Sequence, residues 1–203
     1  TLLESTKYIN HLESKDIIVR RIKILKGADN FKEFRYLGVG NIKDRVMQKM
    51  LSHLIDPFYE NVLDKDIYGW RKGRSQLHAV AQVYKFLQQG QERKTLIALD
   101  IKGFFNYINH NHLCSIKVPT KFRSITTKWI KHKIWEKEKS NFIDSLNGIP
   151  QGAILSPLLC NLVLNGLKDA AFKGLPKSFK RISPTKGLSV RNNCIVYGDD
   201  IIL

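Results

Sequence analysis

The sequence predicts an α/β fold of the mixed, α+β kind. Three observations carry that prediction. Residues 195–203, Ile-Val-Tyr-Gly-Asp-Asp-Ile-Ile-Leu, are two apolar, β-branched runs split by Gly-Asp-Asp, the pattern of two strands joined by a tight turn. Residues 19–25 and 31–39 flank Lys26-Gly27-Ala28-Asp29-Asn30 and read as a second hairpin. Elsewhere apolar residues recur at helical spacing, most clearly over 41–56 and 76–89.

In order, residues 1–18 read as a short helical or irregular lead-in. Over 19–25, basic residues (Arg20, Arg21, Lys23) alternate in part with Val19, Ile22 and Ile24, which suits a strand with one basic face. Its return strand carries Lys32 and Arg35. Such a hairpin is a reasonable phosphate cradle, and the same residues also fit an ordinary solvated face. Asn41 starts a helix in which Val46, Met50, Leu51, Leu54 and Ile55 form the core stripe, and Pro57 is expected to end it. Residues 68–75, Tyr-Gly-Trp-Arg-Lys-Gly-Arg-Ser, form a loop with three cations and two aromatic rings, and Ser75 is placed to cap the next helix. Rings beside cations suit splayed or single-stranded nucleic acid, or a surface loop whose rings pack inward.

Residues 94–99 read as a buried strand delivering Asp100 at its end, and 101–106 turn away into a second helical segment. Residues 124–138 are expected to form a basic helix packing on Ile125, Trp129, Ile130 and Ile134, and 141–146 a short hairpin arm. Residues 148–161 are a Pro/Gly loop entering an apolar helix of about fifteen residues, with Ser156 as cap and Pro157 in the first turn. Residues 173–193 read as an irregular basic connection. Gly198 and the two acids after it suit a tight turn. Carboxylates held there are costly unless something positive sits on them, and a divalent metal such as Mg²⁺ takes oxygen ligands. Solvated acids on a plain hairpin fit the same stretch.

Lys+Arg number 34 against 18 Asp+Glu, a formal charge of +16. That excess is self-repelling without a polyanion, which points to nucleic acid. Solubility alone would be served as well by acids. Cys114, Cys160 and Cys194 lack metal-ligand spacing and read as reduced, buried thiols of an intracellular protein. No apolar run is long enough for a membrane span. The chain opens on Thr1 and closes at Leu203 inside a predicted strand, so an internal piece of a longer protein is expected. Abundant Lys, Asn and Ile point to an AT-rich genome, hence an organelle (mitochondrion or plastid) or a bacterial cytoplasm.

Five stretches in register resemble the reverse transcriptase of group II introns, the intron-encoded polymerase and maturase. Val-Arg-Arg-Ile at 19–22 with Lys26 and Arg-Tyr-Leu-Gly at 35–38 resemble its first motif. Residues 41–48 and 68–75 resemble the second. Leu-Asp-Ile-Lys-Gly-Phe-Phe-Asn-Tyr-Ile-Asn-His at 99–110 resembles the third. Gly-Ile-Pro-Gln-Gly with Leu-Ser-Pro-Leu-Leu-Cys-Asn resembles the fourth, and Tyr-Gly-Asp-Asp the fifth. Gly198 stands where Ala is usual, Asn106 where Asp is usual, and Leu25 and Gly40 where prolines are common. None of these departures removes a metal ligand.

The resemblance implies fingers and palm, with a small antiparallel palm sheet flanked by helices and no thumb. Residues 1–93 would be fingers and 94–203 a truncated palm, with 124–148 packing near both. It implies two-metal nucleotidyl transfer. Asp100, Asp199 and Asp200, with the carbonyl of Ile101, would hold Mg²⁺ ions (Mn²⁺ as an alternative). Lys26 and Arg35 would hold the triphosphate of an incoming dNTP. Gln151 and Gly152 would line its pocket, although Gln151 also fits as a loop-bracing amide. Phe105, five residues after Asp100, would exclude a ribose 2′-hydroxyl, where RNA polymerases commonly carry an Asp. Arg20, Arg21, Arg71, Lys72 and Arg74 are the candidate nucleic-acid contacts. The implied partners are an intron RNA template, a DNA or RNA primer and dNTPs. An RNA-binding maturase with little polymerase activity, or a retron or diversity-generating type of reverse transcriptase, stays open beside this reading.

Overall fold

The computed structural model describes residues 17–25, 34–89, 96–136, 141–173 and 194–203. In chain order these form β1 (Ile18–Leu25), β2 (Phe34–Gly40), α1 (Ile42–Glu60), α2 (Gln76–Gln88), β3 (Ala98–Asp100), α3 (Phe104–Tyr107), α4 (His110–Ser115), α5 (Thr120–Ile130), β4 (Lys133–Glu136), β5 (Asn141–Asp144), α6 (Ser156–Leu164), α7 (Leu167–Lys173), β6 (Ile195–Tyr197) and β7 (Asp200–Ile202). Two sheets with intervening helices make this the mixed α/β fold the sequence predicts. Two compact units divide the chain: Thr1–Phe58 with Gly103–Leu159, and Tyr59–Lys102 with Cys160–Leu203. The division expected from the motifs, 1–93 and 94–203, follows motif order, whereas the compact units interleave those ranges. Among the described residues no helix is long and apolar enough to cross a membrane.

The first unit holds a four-stranded sheet in the order β2-β1-β4-β5. β1 and β2 pair antiparallel from Val19↔Gly40 to Leu25↔Phe34. β1 and β4 pair in parallel through Ile18↔Lys133, and β4 pairs antiparallel with β5. The pleat corrects the expected single basic face. Successive side chains point to opposite sides of a strand, so Arg20 falls on the face opposite Arg21 and Lys23. Arg21 binds Glu136 at 2.6 Å and lies 5.2 Å from the Tyr36 ring centre. Lys23 sits 3.9 Å from the Phe34 ring centre. Part of the cationic row is therefore stacked on aromatic neighbours and paired across the sheet.

The expected basic helix over 124–138 is also corrected. α5 ends at Ile130, and Lys133–Glu136 is a strand, because the β1 edge offers a ladder that four helical residues would forgo. Ile125, Trp129 and Ile130 are buried as predicted. Of the expected α1 stripe Leu51 and Ile55 are buried, together with Met47, Asp44, Gln48 and Tyr59, whereas Val46, Met50 and Leu54 are exposed. The two stripes lie one residue apart around the helix, and only tertiary packing separates them. Asn41 Oδ1 caps α1 by accepting from Asp44 N at 2.8 Å. The helix runs past Pro57 to Glu60, and the extra turn buries Tyr59. Burying an aromatic side chain is worth about 1.5–3 kcal/mol, enough to offset most of a helical proline's cost of about 3 kcal/mol.

The second unit holds a three-stranded antiparallel sheet in the order β3-β7-β6. Its core is Leu63, Ile67, Ala79, Cys160, Leu162, Leu164, Cys194, Ile195, Val196 and Ile201. α2 packs against β6. β3 is an edge strand with exposed residues, not the buried strand expected, and residues 90–95 lie outside the described ones. The expected fifteen-residue helix is split into α6 and α7 by Gly166, which has φ +82°. Asp64 fixes the break: its N donates to Asn165 Oδ1 at 2.8 Å, and its Oδ2 accepts from Gly166 N at 2.8 Å. Residues 174–193 lie outside the described residues.

Asp44 carries a testable cost. It is 3% exposed, its Oδ2 has no hydrogen-bond partner, and burial raises its carboxyl above the ordinary range. A raised carboxyl favours the protonated folded state, so stability falls as pH rises above the unfolded value near 3.8. Asp44→Asn is expected to raise unfolding free energy by about 1 kcal/mol at pH 7, with the gain shrinking towards pH 4. Equal Tm for both proteins at pH 7 would contradict this.

Candidate active site

Three acids lie on the sheet of the second unit. β3 carries Asp100 at its end, and the β6–β7 turn carries Asp199 and Asp200. In the β3/β7 ladder Asp100 is the direct partner of Asp200. Directly opposed residues on antiparallel strands share one face, with Cβ atoms about 4.5–5.5 Å apart. Asp199 is anchored through its carbonyl, which accepts from Ile101 N at 3.2 Å. Asp100 and Asp200 are exposed and Asp199 half-buried. Like charges in opposed positions repel, and among the described residues no cation forms an ion pair with any of the three.

Among the described residues no group of three or more His, Cys, Asp or Glu side chains is gathered into a ready metal cage. The backbone register alone makes Asp100 and Asp200 neighbours. The donor set is all hard oxygen, which suits Mg²⁺ or Mn²⁺ rather than a softer ion.

The turn rests on residues 66–71 of the same unit. Ile67, 1% exposed, bridges in parallel to Val196. Val196 N donates to Asp66 O at 2.9 Å and Tyr68 N to Val196 O at 2.7 Å. Gly69 passes so close that an added Cβ would lie 2.5 Å from Gly198 N, and its carbonyl accepts from Asn161 Nδ2 at 2.8 Å. Trp70 lies over Gly198, the turn glycine at φ +69°.

Arg71 is 7% exposed. Its guanidinium meets both Glu60 carboxylate oxygens, at 2.5 and 3.1 Å, and donates to the carbonyls of Asp64 at 2.6 Å and Ile67 at 3.0 Å. Arg74 donates to the carbonyls of Lys65 and Ile67 and stacks 5.2 Å from the Tyr68 ring centre. These two cations brace the loop, while Lys72 is exposed. Cys160 lies beneath, with 0% exposure; its thiol is pushed up to about 12, by burial first and by the charge of Asp199 second.

The predicted nucleotide-pocket residues belong to the first unit. Phe105 and Gln151 are half-buried, Gly152 and Arg35 exposed, and Lys26 lies outside the described residues. The Pro-Gln-Gly loop is tied down at several points. Gly38 N donates to Gln151 O and Ile149 N to Phe105 O, both at 2.8 Å. Buried His110 donates from Nε2 to Gly148 O at 2.6 Å. Gly38 admits the loop: a Cβ there would lie 2.6 Å from Pro150 Cβ. Arg20 is exposed on β1 and Arg21 is held by Glu136. Sequence reasoning missed Asn161, His110 and Trp70 as supports. For Trp70 the sequence signal is the pair Gly69 and Gly198, where an added Cβ would meet the backbone of Gly198 and the Trp70 ring respectively; Asn161 and His110 carry no comparable signal.

Residues 24–203 match the family model described as reverse transcriptase (RNA-dependent DNA polymerase). The putative COX1/OXI3 intron 2 protein of Saccharomyces cerevisiae is 29% identical over 94% of this chain and 22% of its own length. The group II intron-encoded protein LtrA of Lactococcus lactis subsp. cremoris is 30% identical over 83% of this chain and 27% of its own length. The chain thus spans about a quarter of each of these relatives. Among solved structures, a partial Cas6-RT-Cas1--Cas2 complex aligns at TM-score 0.47 and 20% identity, covering 99% of this chain and 32% of that one.

The environment of Cys160 gives a direct check on the packing under the turn. At pH 8 iodoacetamide is expected to alkylate Cys114, which is partly exposed, and to leave Cys160 unmodified until the protein unfolds. Peptide mapping that finds both modified at the same rate would contradict the buried, thiol-form assignment.

Proposed function

The chain belongs to the reverse transcriptase (RNA-dependent DNA polymerase) family, and from that premise we propose that its parent protein is the RNA-directed DNA polymerase of a group II intron. It adds dNTPs to a DNA or RNA primer on an RNA template, and it binds its intron RNA as a maturase. The observation that carries the polymerase reading is the register of Asp100 opposite Asp200, with Asp199 in the adjoining turn. The maturase role is supported by the intron-encoded relatives and by the charge of +16. An organelle or a bacterial cytoplasm is the proposed location.

Asp100, Asp199, Asp200 and the Ile101 carbonyl would hold two Mg²⁺ ions, with Mn²⁺ as the alternative. Bound there, such ions make the primer 3′-hydroxyl a better nucleophile and offset the charge leaving on pyrophosphate. The remaining work falls to the chain. Arg35 and Lys26 hold the triphosphate by charge-assisted hydrogen bonds. Gln151 and Gly152 form the wall of the nucleotide pocket, on a loop whose backbone is fixed by Gly38 and His110. The Phe105 ring occupies the space of a 2′-hydroxyl and so favours deoxynucleotides. Arg20 and Lys72 contact the nucleic-acid backbone. Arg21, Arg71 and Arg74 act on it by holding the elements that present those cations.

Primer extension on an RNA template with dNTPs and Mg²⁺ tests the polymerase reading in the full-length protein. Asp199→Ala is expected to lower the rate by at least about a hundredfold, the scale on which metal-site support is lost, while RNA binding persists. Equal extension by both proteins sinks the assignment. Phe105→Ala is expected to raise ribonucleotide use relative to deoxynucleotide use by about ten- to a hundredfold. An unchanged ratio means that this ring is not the sugar gate.

A further inference from the structure

We propose that Trp70 is a positioning residue for the catalytic turn: its indole lies where a side chain at position 198 would begin, so that the ring and the left-handed backbone together favour glycine there. The inference rests on the reading of Asp199 and Asp200 as metal-holding acids and adds what holds them in place.

Three observations within the second unit support it. Gly198 sits at φ +69°, in the left-handed region where a side chain is strained. A Cβ added there would meet the Trp70 ring at 3.0 Å (Cη2), 3.4 Å (Cζ2) and 3.5 Å (Cζ3). Trp70 is itself at φ +56°, the one non-glycine residue in that region among the described residues. A bulky residue persists there only where its surroundings over-determine it, and such strain gathers at functional sites.

Those surroundings are visible on both sides. Before it, Gly69 abuts Gly198 N and is fixed by Asn161. After it, Arg71 is anchored to Glu60, Asp64 and Ile67. Trp70 is 47% exposed, so its side chain covers the turn without being fully buried.

The test is a double-mutant cycle in the full-length protein, read by steady-state primer extension and by metal binding. Gly198→Ala is expected to lower kcat about tenfold or more with KM for dNTP near wild type, because the acids are displaced and the nucleotide pocket is untouched. Trp70→Ala is expected to lower kcat less and to raise the Mg²⁺ concentration for half-maximal rate. The double variant Trp70→Ala/Gly198→Ala is expected to exceed Gly198→Ala alone, since removing the ring makes room for the methyl group. Trp70→Phe, which keeps a ring, is expected to stay within about threefold of wild type.

A readout independent of turnover uses Tb³⁺ as the probe. Indole-excited Tb³⁺ luminescence is expected in the wild type, to be weakened in Trp70→Phe and lost in Asp199→Ala. Wild-type kcat in Gly198→Ala, or losses that multiply without rescue in the double variant, overturns the inference. If the double variant does not fold, unchanged luminescence in Trp70→Phe overturns it and weakened luminescence upholds it. Asp199→Ala separates the two levels. Full activity in that variant defeats the polymerase reading itself, whereas its inactivity beside a failed rescue defeats only the role of Trp70.

Discussion

The second unit depends on one unfavourable arrangement, two carboxylates directly opposite each other on neighbouring strands. Asp100 and Asp200 are ladder partners, and the sheet must hold that register against their repulsion. It does so with backbone hydrogen bonds beyond the acids: Ile97 and Leu203 exchange a pair at 2.9 and 3.0 Å, and Ile101 N donates to Asp199 O. On the far side of the hairpin, Ile67 and Tyr68 extend the pairing along β6. The acids are therefore neighbours because the backbone makes them so. This is the condition a cation site requires, since electrostatics would part them in the absence of a cation.

The braces around that sheet follow a common logic: polar groups buried by the fold find partners far along the chain. Arg71 meets the end of α1, Asn161 of α6 meets Gly69, and Asp64 meets the break between α6 and α7. In the first unit, His110 and Gly38 hold the loop that carries Gln151. A buried donor without a partner costs about 1–3 kcal/mol, so each of these contacts fixes a loop that would otherwise open. Loops fixed in this way can present side chains at set positions, and polymerase chemistry depends on positioning.

Much of this was legible in the residues. The terminal hairpin, the β1–β2 hairpin, the start of α1 at Asn41 and the buried face of α5 at Ile125, Trp129 and Ile130 all follow from period and capping. The failures share a cause. Pro57 was expected to stop a helix that continues to Glu60 and buries Tyr59 two residues later. Val46, Met50 and Leu54 stand as apolar as Met47, Leu51 and Ile55, and nothing in the helix itself says which stripe faces inward. Lys133–Glu136 pairs with β1, over a hundred residues away, and a local reading extends the helix through it. Cys114 was expected to be buried with Cys160 and Cys194, yet it is partly exposed.

By itself the sequence determined the residue types at the candidate site, the left-handed turn that delivers Asp199, the excess of positive charge and the motif order that places the chain among reverse transcriptases. These are encoded within a few adjacent positions, where backbone preference and side-chain period act. The tertiary structure decided that Asp100 faces Asp200 rather than a neighbour in register, that Arg71 and Arg74 turn inward as braces, and that Trp70 covers Gly198. Those outcomes depend on strand pairing and on burial of polar groups between segments far apart along the chain, and such partners are chosen only when the segments meet.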